Sequence, residues 1–250
     1  MGDEPATCRL GARPGRQRWQ PGRVQTTSRP ELIVFDVNET LSDMAPMAGR
    51  FEDVGAPGHL AATWFAALLR DGFALTAVGA TARFADLATA ALATVLHPVD
   101  LDRPLADATR HVLAGFTELA VHPDVVPGVR ALAEDGHRLV TLSNGAASVA
   151  EGLLARAGLA DAFEATLSVE DAGVWKPAAG SYRWAAGRCG VEPAAMLLVA
   201  VHPWDVDGAH RAGLRSAWVN RGGAPYPSTF TAPDLEVASL VDLAAALRAG

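Results

Sequence analysis

Leu32-Ile33-Val34-Phe35 is a four-residue apolar run that ends on Asp36, and the chain repeats that shape at intervals. Leu139-Val140-Thr141-Leu142 runs into Ser143-Asn144-Gly145, and Ala165 to Val169 is a third run. Met196 to Val201 leads towards Asp205, and Ser216 to Val219 is a fifth. Runs this short and this uniformly apolar fit strands buried on both faces, as in a parallel sheet. Between them lie helical patterns closed by glycine: Arg130 to Glu134 before Gly136, Ala147 to Ala157 before Gly158, and Tyr182 to Cys189 before Gly190. Leu240 to Arg248 reads as a closing helix. Strands alternating with helices predict an α/β fold, a Rossmann-like parallel sheet with right-handed crossovers. Ligands in such sheets sit beyond the carboxyl ends of the strands. Asp36, Ser143, Asn144 and Asp205 follow strand ends and Lys176 lies in the loop after the third strand, so one rim is predicted to collect them.

One stretch breaks the alternation. Residues 47–120 are rich in Ala and Leu, with helical periodicity over Leu60 to Leu69, Phe84 to Leu96 and Leu105 to Leu119. They interrupt the first strand–helix unit. This predicts a helical cap (47–120) inserted into a core of residues 31–46 plus 121–250, with His122 to Gly128 as the returning linker. Residues 1–30 carry six arginines against Asp3 and Glu4, with scattered Pro and Gly and no apolar stripe. They are expected to form a disordered tail outside the fold.

Composition narrows the function. A net charge of −7 with a pI near 5.5 argues against nucleic acid or an anionic membrane as partner. No apolar run approaches the ~20 residues of a membrane span. Cys8 and Cys189 have no metal-ligand spacing and point to a reducing cytoplasm.

The chemistry-bearing residues are few. Lys176 is the only lysine among 21 basic side chains, in Trp175-Lys176-Pro177. A site that needs a compact ammonium beside a carboxylate cannot take the planar fork of arginine instead. Asp36 ends an apolar strand, where an acidic group is costly unless it is used.

These residues resemble the haloacid dehalogenase superfamily, and within it the L-2-haloacid dehalogenases with a helical cap, over roughly residues 31–248. The motifs are Phe35-Asp36-Val37-Asn38-Glu39-Thr40-Leu41, Leu142-Ser143-Asn144-Gly145, Lys176-Pro177 with Tyr182, and His202-Pro203-Trp204-Asp205 followed by Gly208-Ala209. Trp218-Val219-Asn220-Arg221 looks like the same subfamily's segment after the fifth strand.

The resemblance implies that Asp36 is a nucleophile forming a covalent ester. Lys176 would hold it ionised, and Asp205 would orient Lys176 and help to activate water. Thr40, Ser143 and Asn144 would donate to Asp36, to the substrate carboxylate or to the leaving group. Tyr182 would extend this network, and His202 and Trp204 are further candidates for substrate contact. Thr40 and Ser143 are equally residue types that cap helices, and Tyr182, Trp204 and Trp218 are types that fill cores.

The chain also departs from the pattern. The superfamily's phosphatases carry a second Asp where this chain has Asn38, and a further acid where it has Val201, so the oxygen ligands that magnesium needs are under-supplied. The dehalogenases carry an arginine after a Thr-Trp-aliphatic segment, but Thr63-Trp64-Phe65 is followed by Ala66. Arg70 lies four residues on, on the same helical face, and is expected to reach the rim in its place, with Arg50 a weaker substitute. Ala200 and His202 replace a Ser and an Asn of the fourth motif.

Three functions remain open at this point. One is a metal-independent hydrolase acting on a small 2-substituted carboxylic acid, with no cofactor. Another is a magnesium-dependent phosphatase, and the third is a silent member whose cap binds a small acid or a protein. The resemblance leaves a homodimer open.

Overall fold

Six strands form one parallel sheet in a computed structural model that describes residues 29–249. The expectation for residues 1–30 falls, apart from the last two, outside the described part. Strands β1 (Leu32–Phe35), β2 (Arg138–Ser143), β3 (Ala165–Ser168), β4 (Met196–Ala200), β5 (Arg215–Val219) and β6 (Leu235–Val237) lie in the order β3-β2-β1-β4-β5-β6. Side chains alternate between faces. Leu32, Val34, Val140, Leu142 and Leu198 enter one apolar core, while Ile33, Phe35, Leu139, Leu197 and Val199 enter the other. Both faces are therefore covered, which is why these strands read as unbroken apolar runs.

The second face is covered by α5 (Val125–Glu134), α6 (Ala147–Arg156) and α10 (Leu240–Ala249). The first carries α7 (Val169–Ala172), α8 (Ala179–Cys189) and α9 (Pro203–Ala212). Between β1 and α5 come α1 (Met47–Glu52), α2 (Leu60–Ala77), α3 (Phe84–Leu96) and α4 (Leu105–Thr117). Their apolar residues, led by Phe51, Trp64 and Phe116, join the same cluster as the first face of the sheet. Trp64 stacks edge-on to Phe116 at 5.8 Å and donates from Nε1 to the Ala88 carbonyl at 2.9 Å.

The chain turns from β1 to β2 and β3 on one side and returns with β4 on the other. Beyond the carboxyl end of β1 the connections diverge and leave a crevice, the usual ligand position in this architecture.

Three local readings change. His122 to Gly128 is not all linker, because α5 begins at Val125. Pro127 falls in its first turn, where the missing N–H has no intrahelical role. Gly128 is there for contact: a Cβ at that position would lie 2.5 Å from Leu240 Cβ. The third strand stops at Ser168, whose Oγ accepts from Glu170 N at 3.1 Å and starts α7. The three-residue edge strand β6 carried too short a pattern to be read.

Candidate active site

Asp36 leaves β1 still in the ladder, its backbone N–H donating to the Val199 carbonyl at 3.0 Å. This fixes the carboxylate at the crevice. Lys176 arrives from the segment after α7, held by Asn144, whose Oδ1 accepts from Lys176 N at 2.9 Å and whose Nδ2 donates to Lys176 O at 3.3 Å. Asp205 stands in the first turn of α9. Three elements distant in sequence thus bring two carboxylates to one ammonium. Lys176 Nζ lies 2.9 Å from Asp36 Oδ1 and 2.7 Å from Asp205 Oδ2, and the three residues are 0–4 % exposed.

Every oxygen of the pair is engaged. Thr40 Oγ1 donates to Asp36 Oδ2 at 2.6 Å and itself accepts from Val201 N at 3.1 Å. Tyr182 Oη donates to Asp205 Oδ1 at 2.5 Å. Burial pushes the Asp36 carboxyl up, but Lys176, then His202 and the Thr40 hydroxyl, pull it below the ordinary range. Burial also pushes Asp205 up, and there Lys176 does not compensate while Asp36 adds repulsion, so Asp205 rises. For Lys176 burial acts downward, yet Asp205 and Asp36 outweigh it and the ammonium is held protonated. Two carboxylates driven apart around one cation are suited to different tasks.

The other predicted residues separate into those that touch this network and those that do not. Thr40 binds Asp36 directly and caps no helix. Ser143 Oγ accepts from Gly145 N at 2.9 Å and closes the turn after β2, so its bond goes to the backbone. Asn144 positions Lys176. His202 Nε2 lies 3.2 Å from the Asn38 carbonyl oxygen, 3.5 Å from Glu39 Oε2 and 3.8 Å from Asp36 Oδ2. Its ring stacks on Trp204, with centroids 5.0 Å apart and 19° between planes. Trp204 in turn meets Phe73 of α2 edge-on at 5.0 Å.

Arg70 is a correction. Its side chain is 70 % exposed and donates to Asp71 Oδ1 at 2.8 Å on the outer face of α2. The buried face of that helix is Ala61, Trp64, Phe65, Leu68 and Gly72, and Arg70 falls off it. Arg50 is likewise drawn to Glu118, at 2.5 Å. Arg70→Ala is therefore expected to leave kcat and KM for a carboxylate substrate within about twofold of the starting protein, as for other surface changes. Steady-state kinetics on the variant checks this.

Sequence reading missed Asp124 altogether and noted Arg221 only as part of a motif. Arg221 holds Asp124 with two bonds of 3.0 Å and donates from Nη2 to the Thr40 carbonyl at 3.0 Å, which braces the Asp36 loop. Only proximity in the fold reveals this pair, which is 97 residues apart in sequence. A cavity of about 680 Å³ opens beside the site, lined by Glu39, Met44, Phe65, His202, Trp218 and Arg221 among others. Asp36 and Lys176 do not line it.

Gly208 supports the site from α9. A Cβ there would lie 2.6 Å from Pro177 Cβ and 2.7 Å from Tyr182 Oη. Gly208→Ala is expected to cost about 1–3 kcal/mol through overpacking, a fall in Tm of about 2–12 °C. A fall in kcat should accompany it as Tyr182 is pushed off Asp205. Thermal melts and turnover on the same preparation test the point.

A parallel sheet that opens beside its first strand and presents a cation-held aspartate there defines a class, the Rossmann-like α/β proteins whose site hangs on the first strand's end. The sequence matches the profile of the haloacid dehalogenase-like hydrolases over residues 30–213, and the chain belongs to that family. It is 30 % identical to the (S)-2-haloacid dehalogenase of Pseudomonas sp. strain YL over 211 residues, covering 83 % of this chain and 90 % of that one. It is 31 % identical to the (S)-2-haloacid dehalogenase of Xanthobacter autotrophicus over 193 residues, 76 % of this chain and 75 % of that one. Its fold matches the structure of the L-2-haloacid dehalogenase from Xanthobacter autotrophicus with chloropropionic acid covalently bound, with a TM-score of 0.79 and 28 % identity. That match covers 88 % of this chain and 98 % of the other.

Magnesium, which the superfamily's phosphatases imply, does not fit this donor set. Asp36 and Asp205 spend their oxygens on Lys176, Thr40 and Tyr182. Asp207 turns away to Arg211 at 2.7 Å and to Thr231 N at 2.9 Å. Val201 has no side-chain oxygen, and a hard cation needs several. Among the described residues no group of three or more His, Cys, Asp and Glu is placed to hold a metal ion. No described helix is long and apolar enough to cross a membrane.

Proposed function

We propose that the protein is a hydrolase of the 2-haloacid dehalogenase type, acting on the carbon–halogen bond of a small 2-substituted carboxylic acid without a metal. The observation that carries this is the buried Asp36–Lys176–Asp205 arrangement, which keeps one carboxylate ionised at the carboxyl end of β1.

In the first step an Asp36 oxygen attacks C2. The new C–O bond forms as the carbon–halogen bond breaks, and the halide leaves with the bonding pair, giving an ester and inverting C2. In the second step water adds to the Asp36 carboxyl carbon while Asp205, its affinity for protons raised, takes the proton. The tetrahedral intermediate then expels the 2-hydroxy acid and restores the Asp36 carboxylate. Lys176 neutralises Asp36 before attack, and with Thr40 it stabilises charge on the carboxyl oxygens during hydrolysis. Tyr182 orients Asp205, and Asn144 positions Lys176.

Residues 47–120 act as a cap over the core made by 31–46 and 121–250. Phe65 and Phe73 of α2 supply its contacts to His202 and Trp204. Cysteine usage and acidic charge favour a cytoplasmic enzyme of small molecules, with neither nucleic acid nor membrane as partner.

The test is halide release from each enantiomer of 2-chloropropionate, in EDTA and then in magnesium. Release from the (S) form alone, unchanged by EDTA, is expected. Release only with magnesium, or phosphate-ester hydrolysis in its place, would replace this reading with the phosphatase.

A further inference from the structure

Lys176 is placed by two sets of contacts, and only one of them belongs to the sheet. Asn144 fixes its backbone on the core side, at 2.9 Å to N and 3.3 Å to O. The residue before it, Trp175, is 1 % exposed, and its ring lies among α2, α3 and the connection between them. Its Nε1 donates to the Ala82 carbonyl at 3.1 Å, and Phe84 of α3 stacks on it with centroids 6.0 Å apart and 12° between planes. Gly72 of α2 passes so close that a Cβ there would lie 2.5 Å from Cε3 and Cζ3 of the indole. A glycine weakens a helix interior, so this close approach is the physical reason for one at that position.

The seat is fastened beside the ring as well. Glu170 of α7 accepts from Phe84 N at 3.2 Å and lies 4.0 Å from Arg83, which supplies a carboxylate to an α3 N-terminus that has no side-chain cap of its own. The next residue of α2, Phe73, meets Trp204 edge-on at 5.0 Å. One turn of α2 thus bears on the residue before Lys176 and on the residue before Asp205. Among the described residues, none in α2 or α3 bonds to Lys176 or Asp205 itself.

We propose that Trp175 is a positioning residue for Lys176, and that the helices seated on its indole hold the ammonium in register between Asp36 and Asp205 without touching it. The proposal takes the role of Lys176 from the dehalogenase reading. Nζ lies 2.9 and 2.7 Å from its two oxygens, and such bonds weaken steeply with distance and angle. Trp175 and Lys176 share one rigid peptide plane, so a shift of the first reaches the second undamped. Asn144 grips Lys176 at its own backbone, and Trp175 stops the segment from pivoting on that grip. A tryptophan that only filled the core would need neither the Ala82 bond nor the glycine beneath its ring. The cation is then in register only while α2 and α3 are seated on the core.

Lys176 is the only lysine of the chain, so selective nitrogen-isotope labelling of lysine gives one side-chain ammonium resonance. A buried ammonium bonded to two carboxylates is shielded from exchange with water, and its signal reports its register without any turnover. Wild type, Gly72→Ala, Trp175→Phe and Val112→Ala are compared by this resonance, by kcat and KM for (S)-2-chloropropionate, and by Tm. Val112 is a fully buried residue of α4 and serves as the control for a loosened interior. Gly72→Ala drives a methyl into the indole. It is expected to shift or broaden the ammonium signal and to lower kcat by about 10²-fold, with KM within about twofold of wild type. Trp175→Phe loses the Ala82 bond but keeps a ring for Phe84 to stack on, and should fall between. Val112→Ala should lower Tm while the ammonium signal and kcat stay at their wild-type values.

An unchanged ammonium signal in Gly72→Ala, or a signal displaced as far in Val112→Ala, would overturn the proposal. So would a wild-type ammonium that exchanges freely with water. If Gly72→Ala does not fold, Trp175→Phe decides, and a wild-type signal and kcat in that variant would equally reject the role. Halide release from wild type with an unresponsive ammonium would leave the dehalogenase reading standing and remove Trp175 from it. The expected ammonium shifts without halide release would sink the reading and keep Trp175 as the residue that places Lys176.

Discussion

Asp36→Asn is expected to lower halide release by about 10⁴-fold or more, because an amide lacks the anionic oxygen that forms the ester. The same variant should not unfold the protein. The site holds two carboxylates around one ammonium, and removing one charge leaves a balanced Lys176–Asp205 pair still joined at 2.7 Å. The Thr40 hydroxyl and the Lys176 ammonium remain to donate to the new amide's oxygen. Tm is expected to fall only modestly, because the bond from Lys176 to an ionised Asp36 is lost while the Lys176–Asp205 pair survives. Kinetics and thermal melts on one preparation separate lost chemistry from lost fold. Turnover within tenfold of wild type would place the nucleophile elsewhere.

Lys176 has the opposite profile, with stability and activity falling together. Lys176→Met leaves Asp36 and Asp205 buried side by side with no cation. Breaking a buried pair from one side costs about 3–5 kcal/mol, which at this size is a fall in Tm of about 6–20 °C.

The pH dependence gives the sign. In the starting protein Asp36 titrates below an unfolded aspartate. Its contribution to stability is present above the unfolded value and is lost as pH falls through the folded one. Without Lys176, burial dominates and Asp36 joins Asp205 in titrating high, so the variant's deficit should shrink on acidification. Melts across the acid range test this, and a deficit independent of pH would mean the loss is one of packing alone.

Lys176→Arg keeps the charge and fails on shape. Nζ is the fully buried apex between oxygens at 2.9 and 2.7 Å, and a planar guanidinium is too wide for the gap. A fall in kcat of about 10²–10³-fold is expected, and near-normal turnover would make the ammonium incidental.

Much of this site was legible because it is local. A buried parallel strand must be apolar throughout, so Leu32 to Phe35 announced β1 and the acid after it announced the rim. Lys176 stood out as the one lysine in an arginine chain, and Tyr182 through its spacing from Lys176-Pro177 in the family resemblance. What failed was equally physical. Arg70 was placed by its spacing from Ala66, but that face of α2 is turned to the surface, where the neighbouring Asp71 captured the guanidinium. Ser143 carried the right hydroxyl, yet its nearest donor was its own turn. Asp124 carried no pattern, since its partner Arg221 is brought to it only by the closing of the sheet.

The sequence by itself determined the alternation of strands and helices, the edge at which the acidic residues emerge, and the place of Asp36 at the end of a buried strand. Those follow from periodicity and from the cost of burying charge, which act within a few residues. The tertiary structure alone decided which side chain meets which. It turned Asn144 into the clamp on Lys176, bound Tyr182 to Asp205, sent Arg70 outward and set His202 between Glu39 and Asp36. Hydrogen bonds depend on tenths of an ångström between groups far apart in the chain, and only the packed sheet and its helices fix those distances.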